Sequence, residues 1–529
     1  MRALLCAGLA LVACNDFEAA LGECERSGRC LKGNEAGGSV AGGGEEAGGG
    51  EEGGGSEAGG GGTAGGLDPD CPLRVSAFTN HLVDGPAVVR VPHAGMVEAL
   101  VPGDAGTYLV MPSTPPSPAG EFCVFGVPVS GPVLVKLGDD TYVQTSLRSV
   151  DLSRWVRGRP DRQGQTSVVG FDFPRLGTLT PGWSADDGGV LEHFALSSEG
   201  AGLSAYVEPT LAQGQRDAGR QVLDVTAESR VESSRGDVVW LLRCARNGPR
   251  TCSTVQFTTG RVDTGDAGDY GVDAGALRGV AQDKNVSFIW QPVSGTVRYA
   301  MNAYDAGYDA GTRELGFLGR FAYRIDLWAD PHDAGFIEPG ALVAKVEVDA
   351  GIAAAFAYGN PLPGPVSIVA NATAQTQWLA GDGATATRLI RVVSQRVVRH
   401  RAADAGTLTM PPPPLGPRLN GAPIEQLPYL SVQSQPLTVS WLAAGGGPTQ
   451  YRVEVVKLVA IGVQTELSFV GEFWLPASST SLVLPPLPPG QYGLRLSAIR
   501  SVPFDSAVPL KPSPDGTLSQ TLVRPFIVR

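Results

Sequence analysis

The chain has 529 residues, enough for about three to four domains of ~100–200 residues each. Hydrophobic residues make up 43% of it, which excludes a chain that is disordered throughout, and the net charge of −12 argues against a nucleic-acid partner. Charged residues reach only 18% while Gly (71) and Pro (41) are abundant, so the composition favours an all-β fold over a helical one.

The N-terminus has the pattern of an export signal. Residues 1–13 combine one positive charge at Arg2 with an apolar run that is too short to span a membrane as a helix. The sequence Leu11-Val12-Ala13-Cys14 resembles the lipobox of bacterial lipoproteins. This resemblance implies lipid attachment at Cys14, and Asn15 then favours the outer membrane. An ordinary secretory signal and a misplaced start codon are the alternatives.

A small Cys-bearing segment at residues 14–32 is followed by a low-complexity segment at residues 33–66. The latter holds 18 Gly and six Glu but no Lys or Arg. Ordering it would cost ~1–2 kcal/mol per residue with almost no apolar burial in return. We therefore predict a disordered tether with a reach of roughly 30 Å or more.

Export to an oxidising compartment predicts that the cysteines beyond Cys14 form disulfides. Loop closure favours near neighbours. The predicted pairs are Cys24–Cys30, Cys71–Cys123 and Cys244–Cys252. Zinc is the competing interpretation, but the spacings typical of zinc sites do not occur.

The sequence of residues 67–275 predicts a β-rich region that forms two small sandwiches. Short apolar or alternating segments at 133–137, 142–143 and 150–152 have the pattern of strands. They resemble a non-catalytic module of the carboxypeptidase-regulatory or transthyretin-like kind, covering residues 71–160.

Residues 276–410 carry a weaker form of the pattern seen at the C-terminus, with a strand ending at Trp290 and another at Tyr323–Leu327. They predict a degenerate sandwich. The run of four prolines, Pro411–Pro414, predicts a stiff spacer over residues 411–419.

The C-terminal region, residues 420–529, has the clearest signal. Leu437–Trp441 and Tyr451–Val455 alternate apolar and polar residues, and residues 487–498 read LPPGQYGLRLSA. These segments resemble a fibronectin type III domain. The resemblance implies that Tyr492 is the corner tyrosine bonded to the backbone and that Trp441 fills the core, with Trp290 as its counterpart in the preceding region. The predicted fold is therefore a tandem of β-sandwiches of the immunoglobulin or fibronectin III kind.

Motifs that carry chemistry are scarce. Nine Asp-Ala-Gly tripeptides have the composition of turns. Four Asp residues lie close together in one Gly-rich segment, namely Asp263, Asp266, Asp269 and Asp273. Their carboxylates make a calcium site the alternative to simple turns, although their spacing matches no known calcium-binding loop. The five His residues are scattered. We therefore expect no catalytic residue and no cofactor.

The order of lipobox, tether and β domains resembles surface lipoproteins of Gram-negative bacteria. We expect an outer-membrane lipoprotein, facing the periplasm or the cell surface. It would be held to the membrane by its lipid and act as a non-catalytic module for binding, adhesion or envelope organisation. Its partner would be a protein or a polysaccharide. The alternatives are an extracytoplasmic carbohydrate-active hydrolase with an accessory fibronectin III domain, and a purely structural spacer.

Overall fold

The computed structural model describes residues 71–160 apart from 84–86 and 105–106, and residues 405–529 apart from 426–429, 433–435 and 462–463. Between these two stretches it describes strands together with residues 330 and 332. The chain divides into two units, Met1–Cys71 and Pro72–Arg529, and every strand given below belongs to the second. The described part contains no α-helix, which confirms the predicted all-β class.

The first module, residues 71–160, consists of short strands, as its short apolar and alternating segments predict. They are β1 (Leu73–Ser76), β2 (Phe78–Leu82), β3 (Val88–Pro92), β4 (Val97–Pro102), β5 (Tyr108–Pro112), β6 (Glu121–Val124), β7 (Val133–Leu137), β8 (Thr141–Thr145), β9 (Ser149–Asp151) and β10 (Arg154–Arg157). In β8, Thr141, Val143 and Thr145 are buried while the residues between them are partly exposed. The strand segments predicted from the sequence correspond to β7, β8 and β9.

In the middle region of the chain the structure describes fourteen strands, β11 to β24. They are β11 (Ser167–Phe173), β12 (Glu192–Ser198), β13 (Leu203–Val207), β14 (Gln221–Ala227), β15 (Val238–Arg246), β16 (Cys252–Arg261), β17 (Ile289–Gln291), β18 (Gly295–Asn302), β19 (Ala322–Ala329), β20 (Ala341–Val348), β21 (Ala353–Tyr358), β22 (Val366–Leu379), β23 (Ala386–His400) and β24 (Ala405–Thr409). The segment predicted at Tyr323–Leu327 lies in β19.

The C-terminal region supplies the remaining strands, which we call the terminal sandwich. They are β25 (Leu415–Leu419), β26 (Ala422–Pro423), β27 (Ser431–Val432), β28 (Leu437–Leu442), β29 (Gln450–Ile461), β30 (Gln464–Pro476), β31 (Ser481–Leu484), β32 (Gly490–Val502), β33 (Asp515–Leu522) and β34 (Phe526–Val528). One layer has the order β26-β25-β28-β31. Strands β33, β32, β29 and β30 form the opposite layer and belong to a larger sheet.

That larger sheet has fourteen strands and joins three regions of the chain. Its main path runs β20-β19-β22-β23-β33-β32-β29-β30-β8-β7-β4-β5, with β27 and β34 beside it. Strand β33 pairs with β23 of the middle region on one side, and β30 pairs with β8 of the first module on the other. The regions are therefore connected through backbone hydrogen bonds, in addition to the chain that links them.

The remaining strands form smaller sheets. Two of them belong to the first module, with the orders β6-β1-β9 and β10-β2-β3. The middle region adds the pair β11-β14, the five-stranded order β13-β12-β15-β16-β17 and the three-stranded order β21-β18-β24. Cys244 and Cys252, which are predicted to pair, lie on the antiparallel neighbours β15 and β16.

Residues 411–419, predicted as a spacer, are packed into the protein. Pro412, Pro413 and Pro414 are buried, and the next five residues form β25. Ser394 of β23 donates a hydrogen bond to the Pro411 carbonyl at 2.9 Å. The physical reason is the pairing of β23 with β33, which brings the middle region against the terminal sandwich and leaves no gap for a spacer between them.

Candidate binding groove at the junction of the first module and the terminal sandwich

The junction is built by parallel pairing of β8 with β30. The Cα partners are Thr141 with Glu472, Tyr142 with Phe473, and Val143 with Trp474. Because side chains alternate across a strand, Tyr142 and Phe473 lie on the face that continues the core of the terminal sandwich. The terminal sandwich therefore extends its core into the first module.

Polar groups fix the other face of this junction. Thr141 Oγ1 donates to Glu472 Oε1 at 3.1 Å, and the Glu472 backbone N–H donates to the Asp140 carbonyl at 2.8 Å. Arg154 Nη2 lies 3.1 Å from Asp140 Oδ1 and also donates to the Thr141 hydroxyl. These bonds hold the end of β30 and the turn before β8 in one arrangement.

A groove of about 230 Å³ opens beside this junction. Three parts of the first module line it, namely the β4–β5 turn, the start of β7 and the side of β8, and β31 of the terminal sandwich faces them. The lining residues are Pro102, Gly103, Thr107, Tyr108, Pro132, Val133, Leu134, Gln144, Ser481, Leu482 and Val483. None of these side chains is charged, so the groove suits a neutral ligand segment.

Strand β31 presents an open edge to the groove. It is the last strand of its layer and pairs with β28 alone among the described residues. The Trp441 N–H donates a hydrogen bond to the Thr480 carbonyl. In an antiparallel pair every second residue bonds to the neighbouring strand, so the backbone groups of Leu482, two residues after Thr480, also point toward β28. The backbone groups of Ser481 and Val483 consequently point toward the groove.

Tyr108 already uses one of these groups. Its hydroxyl donates a hydrogen bond to the Val483 carbonyl at 3.0 Å. Desolvation by burial raises the pKa of Tyr108, so the hydroxyl stays protonated and remains a donor at neutral pH. This bond shows that the outward carbonyl of β31 is within reach of a donor lying in the groove.

Gln144 supplies a polar group on the opposite wall. Ser479 Oγ donates to Gln144 Oε1 at 2.8 Å, which orients the side-chain amide. Among the described residues, none accepts a hydrogen bond from the Gln144 amide nitrogen. The groove therefore combines a largely apolar lining with backbone and amide groups that can bind a peptide backbone.

The predicted corner tyrosine, Tyr492, lies on β32 and is 1% exposed. Its hydroxyl donates to the carbonyl oxygen of Pro488 at 2.8 Å, four residues upstream, which is the backbone contact expected of such a residue. Its ring packs against Phe526 with the centroids 6.1 Å apart. Tyr492 thus links the start of β32 to the core and takes no part in the groove.

Trp441 is buried on β28 and packs edge-to-face against Tyr451, with ring centroids 5.4 Å apart. Its predicted counterpart, Trp290, lies on β17, in a different sheet. Trp474, on β30, is 7% exposed and lies under the guanidinium of Arg452. The two tryptophans of the terminal sandwich, Trp441 and Trp474, are therefore core residues.

The cysteines fall into three groups. Cys71 and Cys123 are both disulfide-bonded, which supports one disulfide among the predicted set. In the β15–β16 hairpin the Cα partners are Arg246 with Cys252 and Cys244 with Thr254, so Cys244 and Cys252 are diagonal neighbours. Their pairing stays a prediction. Cys14, Cys24 and Cys30 lie outside the described residues.

Other predicted features also lie outside the described residues: the signal at 1–13, the tether at 33–66, and Asp263, Asp266, Asp269 and Asp273. Within the described ranges, no group of three or more His, Cys, Asp or Glu side chains is placed to hold a metal ion. The same ranges contain no helix with the length and apolarity needed to cross a bilayer.

Sequence reasoning missed the groove residues. Tyr108, Gln144 and Val483 belong to ordinary strand patterns, and no motif marks them as a site. The groove depends on residues more than 300 positions apart in the chain, which periodicity within one segment does not reveal.

No protein-family model matches the chain, and no curated protein matches it. Among solved structures, the chain is similar to the crystal structure of the FN1–FN3 domains of chicken CNTN1, with 11% sequence identity and a TM-score of 0.14. The match covers 69% of this chain and 96% of that chain. The similarity carries no inference about function.

Proposed function

We propose that this protein is a lipid-anchored, extracytoplasmic protein of the outer membrane that binds a partner without catalysing a reaction. The open edge of β31 in the junction groove is the observation that carries the proposal. Backbone groups of Ser481 and Val483 face a largely apolar groove, which is the arrangement an extended peptide segment needs to add as a strand. The proposed ligand is therefore a segment of a protein.

The shared sheet supports a binding role because it fixes the walls of the groove relative to each other. β31 belongs to the terminal sandwich, whereas Tyr108 and Gln144 belong to the first module. Pairing of β8 with β30 and the hydrogen bonds across the junction join these two parts. A site held on paired strands loses less conformational freedom when a ligand binds than a site on loose loops does.

The N-terminal sequence supports the anchor and the location. The lipobox resemblance at Cys14 implies acylation, and more than one acyl chain gives stable membrane attachment. The predicted tether at residues 33–66 would let the folded part reach a partner roughly 30 Å or more from the membrane surface. A long tether is useful to a binding protein.

Metabolic labelling tests the anchor. Radioactive palmitate should label the full chain expressed in a Gram-negative host, and Cys14→Ala should lose the label. Cys6→Ala, which changes a cysteine within the signal, is the matched control and should keep it. Absence of label from the wild-type chain would contradict lipid anchoring.

Photo-crosslinking tests the groove. We would place benzoylphenylalanine at Ser481 in the full chain and irradiate intact cells. Leu442, which is 57% exposed on β28, is the control position. The proposal predicts a discrete protein adduct from position 481 and none from position 442. Equal labelling from both positions, or an adduct from position 481 whose added mass is removed by glycosidases and contains no peptide of another protein, would contradict a peptide ligand.

A further inference from the structure

Tyr108 covers an acceptor that a strand added to β31 would use. Its hydroxyl donates to the Val483 carbonyl at 3.0 Å, and this carbonyl points away from β28 and into the groove. The N–H of an added strand would bond the same carbonyl at about 2.9 Å. The hydroxyl of Tyr108 and the N–H of a ligand therefore compete for one acceptor.

The position of Tyr108 in the fold lets its side chain move while the backbone stays in place. The hairpin that carries it is fixed by the pairing of β5 with β4 and by the Gly103 N–H, which donates to the Thr107 carbonyl at 2.8 Å. The ring is only partly buried and packs against the core cluster that includes Leu134. Rotation about the Cα–Cβ and Cβ–Cγ bonds can therefore withdraw the hydroxyl without unpairing β5.

The size of the groove is consistent with a movable wall. Its volume of about 230 Å³ lies below the ~300–1,000 Å³ of most ligand sites. Because Tyr108 is one of the lining residues, withdrawal of its ring would enlarge the groove and expose the edge of β31 together. An open strand edge invites unspecific pairing, so a side chain that covers it protects the protein until a suitable segment arrives.

The geometry points to Tyr108 as the gate of the junction groove, an inference that rests on the proposed peptide ligand. With the ring in place, the hydroxyl occupies the Val483 carbonyl and closes the edge of β31. A partner segment opens the gate by supplying a backbone N–H to this carbonyl, and one hydrogen bond replaces another. A segment with proline at this position does not open the gate, because proline has no N–H.

Tyr108→Phe distinguishes a gate from a permanent structural bond. It keeps the ring but removes the hydroxyl, so the closed groove loses a hydrogen bond that the open groove does not have. Binding should tighten about fivefold, the factor that corresponds to the ~1 kcal/mol of one hydrogen bond. A permanent bond predicts the opposite result, since its loss would loosen the walls of the groove and weaken binding.

The measurement uses the purified full chain with benzoylphenylalanine at Ser481, irradiated with increasing amounts of a detergent extract of the cell envelope. The amount of extract that gives half of the maximal adduct should fall about fivefold in Tyr108→Phe. Tyr142→Phe is the matched control and should leave this amount unchanged, because Tyr142 packs against the same core cluster but does not line the groove. Thermal unfolding would confirm that both variants are folded.

The possible failures of the gate and of the proposed ligand differ. If the half-maximal amount stays the same or rises in Tyr108→Phe, or falls equally in Tyr142→Phe, Tyr108 is not a gate, while the adduct still supports a peptide in the groove. If position 481 gives no adduct in the wild type or in either variant, the proposed ligand is wrong and the gate is rejected with it.

Discussion

The aromatic rings of Tyr142 and Phe473 are stacked, with centroids 4.5 Å apart and planes inclined by 11°. Tyr142 belongs to the first module and Phe473 to the terminal sandwich, and they are Cα partners in the β8–β30 pair. Leu100 and Leu134 of the first module lie in the same core cluster as Phe473. The two parts of the chain therefore share one hydrophobic core across a common sheet.

This stacking predicts an energetic coupling between the two positions. Tyr142→Leu and Phe473→Leu should each destabilise the protein, and a double-mutant cycle should give a coupling free energy of about 1 kcal/mol, as for other aromatic pairs. Urea unfolding of the full chain measures it. Tyr142→Leu combined with Phe526→Leu is the control, because the Phe526 ring contacts Tyr492; this pair should be additive. Coupling of equal size in both cycles would contradict a direct contact.

The Tyr492 hydroxyl predicts a second stability effect. Tyr492→Phe keeps the ring but leaves the Pro488 carbonyl without this donor, so it should cost about 1 kcal/mol of unfolding free energy. Tyr492→Ala also removes the buried ring and should cost about 3–5 kcal/mol. Denaturant unfolding distinguishes the two values. If Tyr492→Phe is as stable as the wild type, the hydrogen bond does not support the corner.

The environment of Glu454 predicts that the stability of the fold depends on pH. Desolvation by burial pushes its pKa up, but Arg452 at 2.9 Å and Arg495 at 3.2 Å outweigh this effect and lower the pKa below its usual value. A lowered folded-state pKa contributes stability above the unfolded-state pKa of about 4.3. That stability is lost as the pH falls through the folded-state pKa.

Glu454→Gln tests this contribution. It should destabilise the protein by about 3 kcal/mol at neutral pH, because two partly buried guanidinium groups lose their counter-ion. Below pH ~4.3 the difference from the wild type should shrink, since protonation removes the same charge there. Unfolding midpoints measured across the acidic range would show this. A constant difference at every pH would contradict the ion-pair account.

Gly120 occupies a position that should not accept a side chain. Its φ is +66°, and a Cβ there would lie 2.6 Å from the ring of Phe78. Gly446 has a φ of +83° with open space around it, so Gly446→Ala should cost only about 1–2 kcal/mol of backbone strain. Gly120→Ala should lower the melting temperature clearly more. Equal losses would mean that Phe78 moves aside without cost.

The sequence was sufficient for the local structure of the terminal sandwich. Alternation predicted the strands around Trp441 and Tyr451, and the LPPGQYGLRLSA segment predicted β32. These features depend on neighbouring residues, where side-chain periodicity and turn chemistry are decisive. The interpretation of Trp441 as a core residue follows from the same local pattern.

The sequence was not sufficient for the way the regions join. Glu472 and Thr141 are 331 positions apart, and both lie in strands whose alternation would suit many other partners. Pairing between distant edges depends on tertiary fit that a single-strand pattern does not encode. For the same reason the sequence predicted a stiff proline spacer where the structure buries Pro412–Pro414, and it did not predict the groove.

The pairing of β8 with β30 is central, because the junction groove exists only if these strands meet. The most direct test is disulfide formation in the full chain carrying Thr141→Cys and Glu472→Cys, residues that are opposed in this pair. Thr141→Cys with Ser468→Cys is the control, since Ser468 lies further along β30 opposite Lys457. We predict a 141–472 disulfide in the peptide map and none at 141–468. Failure of the first pair to link in a folded chain, or equal linking of both, would contradict the shared sheet.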